Sequence, residues 1–254
     1  MHNTTQDSLT QLHTLMNSAR IFDLSPMIEN DMPRFPTHPP VIINQTITHA
    51  HDGYYCQTVF IPEHAGAHVD SPYHIHEKLI EKTIETFPVN FLIGPCKVIH
   101  LEKRDWKPGE YATAKDIFAW EEESDERIEA NDIVLFNFGW LKKYWTTGKD
   151  WAWYSMNEPG LSEDASELLL SRRIKVIGSD TVACGTALED GKPNPDAPPP
   201  NNCWIHNNLL SKDILIIECL ANMEKIPNVC FFMAFPLKIK NGSGSPIRPV
   251  AIVF

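Results

Sequence analysis

Several absences narrow the field. No stretch approaches the ~18 consecutive apolar residues of a membrane-crossing helix, which excludes a protein built of such helices. None of the six cysteines, Cys56, Cys96, Cys184, Cys203, Cys219 and Cys230, forms a CxxC pair, and several lie in apolar runs. Buried, reduced thiols in a reducing compartment are therefore expected. Basic residues are in deficit, 22 Lys and Arg against 33 Asp and Glu, for a net charge of -11. This disfavours a nucleic-acid partner, because phosphate contacts need a basic face. The first twenty residues contain neither a basic n-region nor a continuous apolar h-region, so no secretory signal is read there and the expected location is cytoplasmic. No internal repeat and no dividing linker is visible.

What remains is globular composition, 43% hydrophobic and 22% charged over 254 residues, enough chain for a full core. Apolar, β-branched and aromatic runs predict strands at 41–47, 54–61, 96–101, 133–138, 174–178, 214–220, 229–235 and 250–254. The runs at 133–138 and 214–220 do not alternate cleanly and read as central strands buried on both faces. Helices are fewer. Thr113 and Asp116 form a capping-box-like start for a helix over 114–122. Ser162 is placed to cap a helix over 163–172, with acidic residues in its first turn and Arg172 and Arg173 at its end. Leu9, Leu12, Leu15 and Met16 make one stripe of an N-terminal helix, and a short helix is expected around 206–210.

Two long connections stand out. Residues 140–159 carry Trp140, Tyr144, Trp145, Trp151, Trp153 and Tyr154, and residues 191–202 carry Pro193, Pro195, Pro198, Pro199 and Pro200. Long loops in a compact domain are often lids or binding loops. Packing of the aromatics on the body or on a partner subunit is the open alternative. The acidic run 121–129 reads as a solvated face.

The chemistry concentrates in Glu63-His64-Ala65-Gly66-Ala67-His68-Val69-Asp70-Ser71-Pro72-Tyr73-His74, directly after the strand predicted at 54–61. Imidazoles and a carboxylate this close together can converge on one divalent cation. Gly66 permits a tight turn, and Pro72 stiffens the exit. His49, His51 and His76 read as bystanders. Far downstream, Glu218 sits inside Ile214-Leu215-Ile216-Ile217-Glu218-Cys219-Leu220, where a carboxylate is costly to bury unless it is paired or binds a metal. His206 follows the proline-rich loop. With His64, His68 and Asp70 as ligands, an acidified water can attack an amide, lactam or ester carbonyl, and His74 is the candidate proton carrier. The same letters also allow a non-haem iron oxygenase, His68-x-Asp70 with His206 as a facial triad. His64 and Glu218 are surplus to that triad. A binding or regulatory protein with a structural metal is a third reading, though structural zinc sites are usually rich in cysteine.

The motif resembles the HxGTHxDxPxH pattern of the metal-dependent cyclase family, with Ala67 where the pattern has Thr. The resemblance runs from about residue 21 to the C-terminus and includes Asp23-Leu24-Ser25, Pro159-Gly160-Leu161-Ser162, Ile177-Gly178-Ser179-Asp180-Thr181 and the tail Gly242-Ser243-Gly244-Ser245-Pro246. It implies an α/β fold, a swivelling β/β/α-type domain with a mixed β-sheet core and peripheral helices, over 21–254, preceded by a helical extension at 1–20. It implies one or two divalent ions, zinc or manganese. His64, His68 and Asp70 would hold the first, and Asp70 would bridge to a second held by His206 and Glu218. His74 becomes the catalytic acid and base. The implied activity is hydrolysis of a C–N bond in a linear or cyclic amide of small, partly aromatic kind, with a non-hydrolytic cyclase or dehydratase as a variant. A homodimer or homotetramer is expected, with no nucleic-acid or membrane partner. The substrate-contacting residues are not legible.

Overall fold

The computed structural model describes residues 2–146, 151–185, 188–189, 192–193 and 204–254. Its centre is a nine-stranded mixed sheet. In chain order the elements around it are α1 (His2–Ser18), β1 (Arg20–Asp23), β2 (Ile42–Ile47), α2 (His49–Asp52), β3 (Cys56–Phe60), β4 (His68–Asp70), β5 (Ile93–His100), β6 (Tyr111–Ala112), α3 (Ala114–Ser124), β7 (Ile133–Asn137), α4 (Trp140–Tyr144), α5 (Trp151–Met156), β8 (Gly160–Leu161), α6 (Glu163–Arg172), β9 (Val176–Ser179), β10 (Leu188–Glu189), β11 (Lys192–Pro193), β12 (Leu215–Glu218), β13 (Val229–Met233), β14 (Gly244–Pro246) and β15 (Val250–Val253). Across the sheet the order is β1-β15-β13-β5-β7-β9-β12-β4-β14.

The four middle strands β5, β7, β9 and β12 run parallel, and the flanking strands pair antiparallel. All of β7, β9 and β12 is buried, as covered faces require. Alternation divides the side chains between two cores. Val134, Phe136, Ile177 and Ile216 point to the face covered by Ile117 and Trp120 of α3 and Leu169 of α6. Ile133, Leu135, Val176, Leu215, Ile217 and Val69 point to the other face, with Leu24, Leu92 and Phe232. Gly178 fits between these strands because a Cβ there would lie 2.8 Å from Leu135 Cδ2.

Each of the eight strand-predicting runs overlaps a strand, although β5 begins three residues before its run and β9 ends one residue past its own. Among the described residues the strands at 42–47 and 56–60 pair only with each other, and every residue of β3 is exposed. Asp116 accepts from the Thr113 backbone N–H at 2.7 Å, one half of the expected capping box. Ser162 occupies the cap position of α6, but its hydroxyl turns to the Ala112 carbonyl at 3.1 Å. The acidic run is not uniformly solvated. Glu121 is buried, meets Arg172 of α6 through both oxygens at 3.1 and 3.2 Å, and accepts from Ile128 N at 3.0 Å. The aromatic segment packs on the body. Trp140 and Tyr154 are buried, Trp140 Nε1 donates to the Tyr154 carbonyl at 2.9 Å, and Tyr154 Oη donates to the Asp180 carbonyl at 3.0 Å. The proline-rich stretch 191–202 falls outside the described residues except at β11.

Candidate metal centre

Strand alternation builds half of the centre. Val69 of β4 enters the core beside Ile217, so His68 and Asp70 must face the opposite side. On β12, Ile217 points into that core, which sends Glu218 to the side of His68 and Asp70. The register pairs Glu218 with His68 across the two strands. Their side chains meet, with His68 Nε2 3.1 Å from Glu218 Oε2 and 3.4 Å from Asp70 Oδ1. β12 stops there because Cys219 adopts a left-handed turn at φ 56°. Gly66 performs the tight turn before β4 at φ 62°, where a Cβ would meet Ile28 Cδ1 at 2.7 Å.

The other half comes from turns. His64 Nδ1 lies 2.6 Å from Asp70 Oδ1. His74 ends a 3₁₀ turn that begins at Pro72, and its ring centroid is 3.9 Å from that of His64. His206 opens a π-helical turn, His206–Leu210, where a short helix was expected. Such turns are often found at functional sites. Its Nε2 lies 3.3 Å from Asp70 Oδ2 and 3.1 Å from Glu218 Oε1. All six residues named from the sequence, His64, His68, Asp70, His74, His206 and Glu218, therefore gather in one place. The bystanders stay out: His49 and His51 lie on exposed α2, and His76 Nε2 donates to the Asn207 carbonyl at 3.1 Å.

Two overlapping groups can hold a cation, His64 with Asp70 and His74, and His68 with Asp70 and Glu218. In each group the donor atoms lie within 4.8 Å of one another. Asp70 belongs to both. Among the described residues, Asp70 Oδ2 and Glu218 Oε1 are buried and accept no well-formed hydrogen bond; each is faced by His206 Nε2, at 3.3 and 3.1 Å. Leaving two carboxylate oxygens so is costly unless a positive charge meets them. The donor set of imidazole and carboxylate suits zinc, manganese and iron alike.

The electrostatics show how strongly the cluster demands positive charge. Burial depresses the His68 imidazole, but the Asp70 and Glu218 carboxylates outweigh it and hold it up at about 9. Burial opposes ionisation of Asp70, yet His64, His74 and His206 keep its carboxyl well below the usual range. His74 differs. Burial, reinforced by the neighbouring imidazoles, pushes it down to about 3 against the pull of Asp70, so its ring is neutral.

Some participants escaped the sequence reading. Glu63 Oε2 accepts from Ser243 Oγ at 2.6 Å, and Ser243 Oγ lies 2.8 Å from His64 Nε2. His38 places its ring 5.6 Å from that of His64, and its Nδ1 is buried without a partner among the described residues. Glu63 was visible only as the residue before the motif, and Ser243 only as part of the glycine-rich tail. Nothing marked His38.

The sequence model of the family described as putative cyclase matches residues 22–185. Isatin hydrolase from Roseibium aggregatum is 32% identical over 201 residues, covering 75% of this chain and 72% of that one. A kynurenine formamidase from Geobacillus thermodenitrificans is 22% identical, covering 89% and 94%. Among solved structures, an isatin hydrolase bound to the product analogue thioisatinate superposes with a TM-score of 0.83 over 98% of both chains at 28% identity. With the fold, the motif and these matches in agreement, the chain belongs to the cyclase family.

Proposed function

We propose that this chain is a metal-dependent hydrolase that cleaves the C–N bond of a small linear or cyclic amide. The carrying observation is Asp70, a buried carboxylate shared by two groups of potential ligands and faced by His64 Nδ1 at 2.6 Å and His206 Nε2 at 3.3 Å. The activities named for the isatin hydrolase and kynurenine formamidase relatives supply the substrate class. His64, His68 and Asp70 would hold one ion, zinc or manganese, and Asp70, His206 and Glu218 would hold a second where two are bound. When bound, a divalent cation supplies polarisation of the carbonyl and acidification of a water towards a pKa of ~7. His74 stands beside the ligands with its ring 3.9 Å from that of His64, placed to take a proton from the attacking water and return it to the leaving nitrogen. Glu218 argues against the iron-oxygenase reading of His68, Asp70 and His206, because it adds a fourth donor where a facial triad leaves open positions.

The remaining features extend the reading. Residues 21–254 form the catalytic domain and 1–20 an extension, although β1 already begins at Arg20. Leu9, Leu12 and Leu15 of α1 and all of β3 are exposed on the single chain, which favours a homodimer or homotetramer. Cys56, Cys96, Cys184, Cys219 and Cys230 are free, in keeping with a cytoplasmic setting. No helix among the described residues is long and apolar enough to cross a membrane.

The test is elemental analysis of chain purified without chelator, followed by a panel of N-formyl anilines, isatin-like lactams and matched esters. One to two equivalents of zinc or manganese with amide turnover is the expected result. Oxygen consumption with iron alone would overturn it.

A further inference from the structure

A histidine ligand offers only one of its two nitrogens, and the partner of the other decides which. At His68 the partner is a backbone carbonyl. Its Nδ1 lies 2.8 Å from the Gly66 oxygen, so Nδ1–H donates there and Nε2 faces Asp70 and Glu218. His64 stands the other way round. Its Nδ1 faces Asp70 Oδ1 at 2.6 Å, and its Nε2 faces Ser243 Oγ at 2.8 Å.

A serine hydroxyl can accept or donate, so it cannot by itself select the ring nitrogen that carries hydrogen. Glu63 removes the ambiguity. Its Oε2 lies 2.6 Å from Ser243 Oγ and 3.1 Å from Ser243 N. An ionised carboxylate only accepts, so the single hydroxyl hydrogen of Ser243 goes to Glu63. Ser243 Oγ must then accept from His64 Nε2–H. The Nδ1 lone pair is left pointing at a carboxylate oxygen, and two acceptors at that distance need a positive charge between them.

The tail is shaped around this chain of contacts. A Cβ on Gly244 would lie 2.6 Å from His64 Cε1, and one on Gly242 would lie 3.2 Å from Glu63 Oε1. The Ser243 carbonyl is itself held by Ser71 N at 2.9 Å and Ser71 Oγ at 2.8 Å. The next residue, Gly244, pairs with Asp70 in the sheet.

We propose that Glu63, acting through Ser243, is a positioning residue that fixes the tautomer of His64 and so commits its Nδ1 to the cation. This rests on the metal-centre reading above. It makes His64 and His68 ligands of opposite tautomer, one set by a side-chain relay and the other by the backbone.

The test uses the full chain, labelled with ¹⁵N-histidine and loaded with zinc, and reads the tautomers by long-range ¹H–¹⁵N correlation. Hydrogen is expected on Nε2 of His64 and on Nδ1 of His68. Glu63→Gln and Ser243→Ala should each weaken zinc binding by about 10–100-fold in competition with a chelator, and the double variant should be no weaker than Ser243→Ala. Ser243→Thr, which keeps the hydroxyl, should restore affinity. Hydrogen on Nδ1 of His64 in the zinc-loaded wild type, or unchanged affinity in both single variants, overturns the assignment and leaves the hydrolase reading standing. A wild-type chain that takes up no zinc overturns both.

Discussion

The two halves of the centre are built by different means. His68, Asp70 and Glu218 are placed by sheet register. His64, His74 and His206 lie outside the strands, His74 and His206 in turns, and His64 also meets Ser243 from a segment 179 residues away. Register is all-or-none, because a slip of one residue would turn His68 and Asp70 into the core and Val69 out of it. Turn placement is graded, since each contact can be altered without moving the sheet. The strand half therefore fixes where a cation sits, and the turn half adjusts what happens there.

The largest effect should follow from breaking the strand half at its shared residue. Asp70→Ala removes a ligand from both groups and is expected to abolish metal retention and turnover together, read by elemental analysis and amide hydrolysis. His74→Ala, in the turn half, should retain the metal and lose ~10²–10⁴-fold in kcat. If it loses the metal as well, His74 is a ligand and the division of labour fails. Gly244→Ala tests the seam between the halves, since its new methyl group would press on His64 Cε1. A cost of ~1–3 kcal/mol is expected from overpacking, visible as a drop in Tm of ~2–4 °C per kcal/mol.

The smallest effect concerns Asp180, outside both halves. Burial raises its pKa from 3.8 to about 7, although backbone N–H groups of Phe138, Leu141 and Trp140 oppose the shift. The folded chain thus keeps a proton that the unfolded chain releases near 3.8. Its contribution to stability is fully present below that value, falls as pH rises to about 7 and is flat above. Asp180→Asn should remove this slope from Tm measured against pH, while metal content stays unchanged.

The sequence made the strand half legible in its chemistry and hid it in its structure. The spacing of His68 and Asp70 within the histidine-rich motif marked them as candidate ligands, and Glu218 stood out as a carboxylate in an apolar run. Yet β4 is three residues long, and His68-Val69-Asp70 reads as a strand only once β12 and β14 flank it. Local pattern carries no such information. The eight longer runs were legible because burial demands continuous apolar sequence, although β2 and β3 resemble sheet strands and form a separate hairpin. Glu121 shows the opposite failure, an acidic residue in a charged run that is buried because Arg172 reaches it from another helix. Glu63 and Ser243 were invisible as partners because the contact they support spans 179 residues of chain.

That span bears on how the protein comes to exist. β4 lies between a strand from the 210s and one from the 240s, so the centre has no sheet around it until nearly the whole chain is present. Closing contacts of such high sequence separation is the slow part of folding. A growing or truncated chain that stops before Ser243 carries the complete histidine motif and still lacks β14, the strand that walls its outer edge. On the metal-centre reading, cation capture in this fold is expected to be a late event, with tight binding reporting a finished molecule rather than a finished motif.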